Sequence, residues 1–198
     1  MSILLIRHGE TAANVARIMQ RPEQPLSARG VRQAAQLAER LLGLGFVHVL
    51  CSDLVRAQMT AAPLAARGHA IEYSPLLQER NFGDLRGTPY DQLTEDPWAP
   101  GFAPPNGETV EMFHRRVAQA FALIAERRRG LSGALVVVTH GLVCRALLAN
   151  HVRAGAVPEQ FANTSVTVID PAPPFAAQLV NCTQHLTPEL DAAGGGPA

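Results

Sequence analysis

Five residues of this chain have the types and placement for chemistry on a phosphate. Arg7 and His8 stand directly behind the apolar run Ile3-Leu4-Leu5-Ile6, and Arg56 follows the run Val47–Cys51. Glu79 follows Ala70–Ser74, and His140 stands directly behind Val136-Val137-Val138-Thr139. A neutral imidazole is a competent nucleophile at neutral pH, and two guanidinium groups beside it oppose its protonation while attracting a phosphate dianion. His8 is therefore the candidate nucleophile. Arginine forks match the equatorial oxygens of a transferring phosphoryl group, which makes Arg7 and Arg56 the candidate grip and His140 a further donor. An alkoxide leaves at neutral pH only with a proton, so Glu79 is the candidate acid, and afterwards the base for water attacking a phosphohistidine. Each residue alone has an ordinary structural reading, as a solvated helix or loop charge or a capping histidine. Their joint placement behind four strands carries the argument. A metal site is the other sharp reading of two histidines and a carboxylate, but the chain has no HExxH or closely spaced ligand pair, and the flanking arginines would repel a cation. His48, His69, His114, His151 and His185 read as structural or exposed.

Such groups need a scaffold that brings separate segments to one edge. Runs rich in β-branched residues recur at Ile3–Ile6, Val47–Cys51, Ala70–Ser74, Leu135–Thr139, Val166–Asp170 and Ala176–Val180, most of them separated by helical patterns. Ser27 is placed to cap a helix running to Leu42, and Gly43 and Gly45 stop it. A second helix is expected from near Asp53 towards Ala66, kinked or split by Pro63. A third spans about Thr109 to Arg129, and a fourth Leu142 to about Val152. The near-continuous apolar run Ala134–Val138 calls for a sheet covered on both faces, as parallel strands with crossover helices provide. The expected class is therefore α/β, and open α/β sheets bind their ligands beyond the carboxyl ends of the strands. Pro75–Gly107 breaks the rhythm, being rich in Pro, Gly and acidic residues with a short helical pattern at Tyr90–Glu95; it reads as a cap lying over the site. One domain is expected over residues 1–191, with a disordered Gly-rich tail at 192–198.

Composition narrows the partners. At 198 residues, with 17% charged and 47% hydrophobic residues, the chain is neither a polyelectrolyte nor a disordered tail. Its formal net charge of +0 provides no bulk attraction for nucleic acid or membrane, so an anion site must be made by local clustering. All 17 basic residues are arginine, which excludes a lysine Schiff base or a lysine phosphate clamp. Cys51, Cys144 and Cys182 show no CxxC spacing and read as buried free thiols. With no apolar leader or membrane-length run, a cytoplasmic location is expected. The sequon Asn163-Thr164-Ser165 then carries no weight as a glycosylation site.

Taken together, these residues resemble the histidine phosphatase superfamily, in its phosphoglycerate mutase-like branch. The resemblance rests on Arg7-His8-Gly9-Glu10-Thr11 with Asn14, Pro25-Leu26-Ser27 to Gly30, and Ser52-Asp53-Leu54-Val55-Arg56-Ala57 with Thr60. It continues through Leu77-Gln78-Glu79 to Phe82-Gly83 and Gly87, Gly107-Glu108-Thr109 with Arg116, and Thr139-His140-Gly141, in the family's order. It implies an α/β/α sandwich on a six-stranded, mostly parallel sheet. It further implies His8 as the phosphorylated nucleophile and Glu79 as proton donor and acceptor. Arg7, Arg56 and His140 would form the phosphate pocket, with Thr11 and Asn14 assisting, Gln20 at substrate, and the Gly141 backbone near the phosphate. No metal or organic cofactor is expected.

Retention of the phosphoryl group or its release to water separates mutases from phosphatases, and the catalytic residues do not distinguish them. Glu79-Arg80-Asn81-Phe82-Gly83 echoes the mutase pattern, which places Arg80 at substrate. Mutases, however, resemble one another in a lysine soon after the next glycine and in longer Arg-rich insertions. Here Thr88-Pro89-Tyr90 follows Gly87, and Arg80 and Arg86 are the only cap cations. A bisphosphate desolvated with too few partners is costly. The expected activity is thus hydrolysis of a small organic phosphomonoester through a phosphohistidine, with mutase-type transfer or a non-enzymatic phosphate-binding module as alternatives. The sequence carries no signal on oligomeric state, leaving a homodimer open.

Overall fold

The computed structural model describes residues 1–99 and 101–191; the tail at 192–198, expected to be disordered, lies outside the described residues. Strands β1 (Ile3–Arg7), β2 (Phe46–Ser52), β3 (Ile71–Ser74), β4 (Ala134–Thr139), β5 (Val166–Ile169) and β6 (Ala177–Cys182) form one sheet in the order β3-β2-β4-β1-β5-β6. β1, β2, β3 and β4 pair in parallel, and β5 runs antiparallel to both β1 and β6. The sheet is therefore mostly parallel, and the carboxyl ends of β3, β2, β4 and β1 lie side by side on one edge.

The strands alternate their side chains between two helical layers. Ile3, Leu5, Leu135 and Val137 face helices α4 (Val110–Arg128) and α5 (Gly141–His151) through Phe113, Val117, Ile124 and Leu147. Leu4, Ile6, Val136 and Val138 face α2 (Ala28–Leu42) and α3 (Val55–Ala65) through Leu37, Leu41, Ala61 and Leu64. Both faces of β1 and β4 are buried throughout, which is why these strands lack the polar-apolar alternation of a half-solvated sheet. Two short helices, α1 (Ala12–Val15) and α6 (Pro188–Asp191), complete the helices of the described residues.

Helix ends follow their capping chemistry. Ser27 Oγ accepts from Gly30 N at 3.0 Å to start α2, and Thr109 Oγ1 accepts from Met112 N at 3.1 Å to start α4. Gly30 also permits a close crossing, because a Cβ there would fall 2.1 Å from the Glu10 carbonyl oxygen. α3 is not split at Pro63, which sits in its last turn. All three cysteines are free and buried. Among the described residues, no helix is long and apolar enough to cross a membrane.

The segment from 75 to 107 departs from the helical cap expected there. Its described residues contain three single 3-10 turns, Pro75–Leu77, Gly83–Leu85 and Tyr90–Gln92, and no α-helix. Pro89, Pro97, Pro104 and Pro105 withhold backbone donors, and Gly83 (φ +52) and Gly87 (φ +93) adopt left-handed backbone, so a continuous helix cannot form. The segment is pinned to the loop after α1 by Met19 N–H to Thr88 O (2.9 Å), Gly87 N–H to Met19 O (2.7 Å) and Tyr90 N–H to Arg17 O (2.9 Å).

Candidate active site

The edge of the sheet gathers the predicted residues. Arg7 and Thr139 are register partners at the ends of β1 and β4, and His8 N–H donates to Thr139 O at 2.9 Å. The rings of His8 and His140 lie 5.1 Å apart, centroid to centroid. Arg56 comes from the first turn of α3, two residues behind Leu54, its N-cap. Arg7, His8, Arg56 and His140 are each at most 2% exposed.

Chemistry fixes the tautomer of His8. Its Nδ1 lies 2.7 Å from the Gly9 carbonyl oxygen, which only accepts, so Nδ1 carries the proton and Nε2 holds the free lone pair. Burial, then Arg56 and Arg7, hold the His8 pKa well below its usual 6.5, and the ring is the free base at neutral pH. His140 is held low in the same way by burial, Arg56 and His8. Its Nε2 lies 2.8 Å from Ser52 Oγ, which already accepts from Leu54 N–H at 3.3 Å. The Ser52 hydroxyl has no other acceptor among the described residues, so its proton is satisfied by donation to His140 Nε2, which leaves the imidazole proton on Nδ1.

That Nδ1 is buried without a protein partner, and so are Arg7 Nε and Nη2, Arg56 Nε and Asn14 Nδ2. Buried donors are normally satisfied, and several unpaired together around one imidazole suit an oxyanion. On the other side of each guanidinium, Arg7 Nη1 donates to Phe161 O and Arg56 Nη1 to Arg21 O (3.2 Å). Burial lowers the Arg7 pKa and brings Arg56 to about 10; an arginine guanidinium stays cationic in proteins at neutral pH.

Glu79 joins the group at the start of α5. Its Oε2 accepts from Leu142 N–H at 3.2 Å, in the first turn of α5, and its Oε1 accepts from Arg80 N–H at 2.9 Å. Burial raises its pKa, outweighing those two bonds and the attraction of Arg56 and Arg7. A carboxyl shifted in this direction is suited to act as an acid near neutral pH. Among the described residues, no group of three or more His, Cys, Asp or Glu side chains is gathered to hold a metal ion.

Comparison with known proteins bears on the same residues. A family model of the histidine phosphatase superfamily (branch 1) matches residues 3–180. The chain belongs to the histidine phosphatase superfamily. Probable phosphoglycerate mutase GpmB of Yersinia pestis (strain Pestoides F) is 36% identical over 159 residues, which are 75% of this chain and 73% of that protein. The solved alpha-ribazole phosphatase of Shigella flexneri superposes with a TM-score of 0.78 at 31% identity, covering 92% of this chain and 97% of its own. A mycobacterial glucosyl-3-phosphoglycerate phosphatase complexed with VO3 gives 0.74 at 26% identity, covering 85% and 90%. Phosphatase or mutase activity is the class of reaction these matches support.

In this histidine phosphatase superfamily member most of the remaining predicted residues meet at the site. Thr11 and Asn14 form a reciprocal capping box at the start of α1, and Thr11 Oγ1 lies 3.0 Å from Gln20 Oε1. Gly141 starts α5 beside His140. Arg80 is the exception. It is 5% exposed, and its Nε, Nη1 and Nη2 donate to the carbonyls of Glu108 (3.2 Å), Pro97 (2.9 Å) and Phe102 (2.9 Å), so three of its five N–H donors brace the cap.

Several contributors were not singled out from the sequence. Ser52 orients His140 and stood unassigned beside Arg56 in the same motif. Thr60 Oγ1 accepts from Gly9 N–H at 2.9 Å and donates to Arg56 O at 2.7 Å, tying the nucleophile loop to α3. Asn163 Nδ2 donates to His8 O at 3.0 Å, and Thr164 N–H reaches Arg7 O and His8 O at 3.0 and 3.2 Å. The sequon is thus a buried turn that backs the nucleophile, with Thr164 at φ +56. Tyr90 feels Glu79, Arg7 and Arg56, and burial pushes its hydroxyl up to about 12, so it is a neutral phenol at the site.

Proposed function

We propose that the protein is a phosphomonoester hydrolase that acts on a small organic phosphate through a phosphohistidine. The observation that carries this reading is the His8 Nδ1–H bond to Gly9 O, which leaves Nε2 as a buried, unprotonated nucleophile among unpaired cationic donors. In the first step a P–N bond forms at His8 Nε2 as the P–O bond to the alcohol breaks, and Glu79 passes its proton to the departing oxygen. Arg7, Arg56 and the Nδ1–H of His140 stabilise the charge on the equatorial oxygens. In the second step the Glu79 carboxylate takes a proton from water, the water oxygen bonds to phosphorus, and the P–N bond returns its electron pair to His8. No metal or organic cofactor enters this sequence.

Mutase-type transfer is the second reading, favoured by the name of the Yersinia relative. Against it, the chain has no lysine, and Arg80, one of two cap cations, gives three of its five N–H donors to backbone carbonyls. A non-enzymatic binding module is opposed by the presence of His8 and Glu79 together. The test is incubation with a panel of phosphomonoesters and, separately, with 3-phosphoglycerate plus bisphosphoglycerate. Phosphate release exceeding formation of 2-phosphoglycerate is expected, and the reverse order would replace hydrolase by mutase.

A further inference from the structure

A cavity of about 260 Å³ is lined in part by Arg7, one of the phosphate-gripping residues, and by Gly141. Leu142, whose N–H holds the Glu79 carboxylate, forms part of its wall. An alcohol that leaves with the Glu79 proton therefore departs next to this space. Three polar side chains stand around it: Arg145, one helical turn after Leu142 on α5, and Glu159 and Gln160 from the loop before β5. All three residues are exposed, and none of these side chains makes a hydrogen bond or ion pair among the described residues. Trp98 closes the cap side, held edge-on to Tyr90 with ring centroids 5.5 Å apart.

We propose that this cavity is the leaving-group subsite and that it selects a single polyhydroxylated ring, making the substrate a sugar monophosphate. The inference rests on the hydrolase reading above. Its volume is just below the roughly 300–1,000 Å³ of drug-sized ligand pockets, which suits one small ring. A carboxylate-bearing alcohol would gain from Arg145 but would meet Glu159 across the same space. A neutral polyol satisfies both, since its hydroxyls donate to Glu159 and accept from Arg145, while the Gln160 amide does either. The Trp98 indole offers an apolar face for the C–H side of a ring and a polar edge for its hydroxyls. The pocket thus has a cation, an anion, an amide and one aromatic wall, the donors, acceptors and ring surface that a sugar presents in return.

The test compares kcat/KM for ribose 5-phosphate, glucose 6-phosphate and 3-phosphoglycerate in the wild type, Glu159→Gln and Arg145→Ala, both changes being at exposed positions. The wild type is expected to prefer at least one sugar phosphate to 3-phosphoglycerate. Glu159→Gln is expected to shift that ratio towards 3-phosphoglycerate by about tenfold or more, the scale of one lost hydrogen bond to a charged group. Arg145→Ala is expected to lower turnover of both classes through KM. A wild type that prefers 3-phosphoglycerate, or an unchanged ratio in Glu159→Gln, would overturn the subsite assignment while leaving hydrolysis intact. Failure of the wild type to hydrolyse any monoester would instead remove the hydrolase reading beneath it.

Discussion

Replacing Ser52 by Ala removes one buried hydroxyl and should disable a histidine it does not resemble chemically. Ser52 is fully buried; its oxygen takes the Leu54 N–H at 3.3 Å and its proton goes to His140 Nε2 at 2.8 Å. Alanine leaves both groups without partners, each costing about 1–3 kcal/mol. A domain with roughly 5–15 kcal/mol of stability survives that loss, so the variant should fold with a lowered urea midpoint. The functional loss is separate. Without the hydroxyl, nothing holds the His140 proton on Nδ1, and a donor aimed at the phosphoryl oxygens is weakened or lost. Removing one such donor costs about 10²–10³ in kcat in comparable sites. Steady-state turnover of p-nitrophenyl phosphate gives the rate, and ¹⁵N shifts of the His140 ring at neutral pH report which nitrogen is protonated. Ser52→Thr keeps the hydroxyl and should recover most of the rate. A folded Ser52→Ala protein within about threefold of wild type, too little for a lost donor, or a wild-type His140 protonated on Nε2, would refute the reasoning.

Further outcomes follow from the same geometry. Glu79→Gln should slow hydrolysis most for alcohols of high pKa and least for p-nitrophenyl phosphate, as rate measurements across leaving groups will read. The pKa shifts of His8 and Glu79 run towards each other, down from 6.5 and up from 4.5, so kcat/KM should hold as pH falls below 6.5, and Glu79→Gln should remove the basic limb of the profile. For stability, the depressed His8 and His140 contribute fully above 6.5, and that contribution is lost as pH falls through their folded values; the raised Glu79 opposes this as it keeps its proton. Urea midpoints should therefore fall on acidification below 6.5, less steeply than two histidines alone would give. Asn163→Asp would put a carboxylate beside His8 O, raise the His8 pKa and move the acid limb of kcat/KM upward. Arg80→Ala should expose the cap between residues 83 and 107 to limited proteolysis, by removing its bonds to the Pro97 and Phe102 carbonyls and to Glu108 O just beyond the cap.

The elements that carry the site were legible because their burial writes itself into the sequence. β1 and β4 are covered on both faces and so read as unbroken apolar runs, and α2 and α4 begin at Ser27 and Thr109, whose side chains accept the first free N–H groups. The catalytic residues follow those runs directly, which made Arg7, His8 and His140 easy to find. The cap was harder: the pattern at Tyr90–Glu95 is helical in spacing, yet its flanking prolines and glycines allow only a 3-10 turn. Arg80 was assigned to substrate because its sequence neighbour is Glu79, whereas its long side chain turns away to carbonyls 17 to 28 residues further along. Asn163 and Ser52 act through single hydrogen bonds to residues 155 and 88 positions away, and no local periodicity encodes such contacts. The cavity bounded by Trp98, Arg145 and Glu159 joins three distant segments and exists only once the sheet and helices have assembled.

The central claim is that His8 Nε2 becomes covalently phosphorylated during turnover. Rapid acid-free quenching of the enzyme with a ³²P-labelled monoester, followed by peptide mapping, tests it most directly. The account predicts an acid-labile, alkali-stable phosphate on the peptide containing His8, absent from His8→Ala, which should also lose turnover. Label on any other residue, or a His8→Ala protein that still hydrolyses monoesters at the wild-type rate, would contradict it.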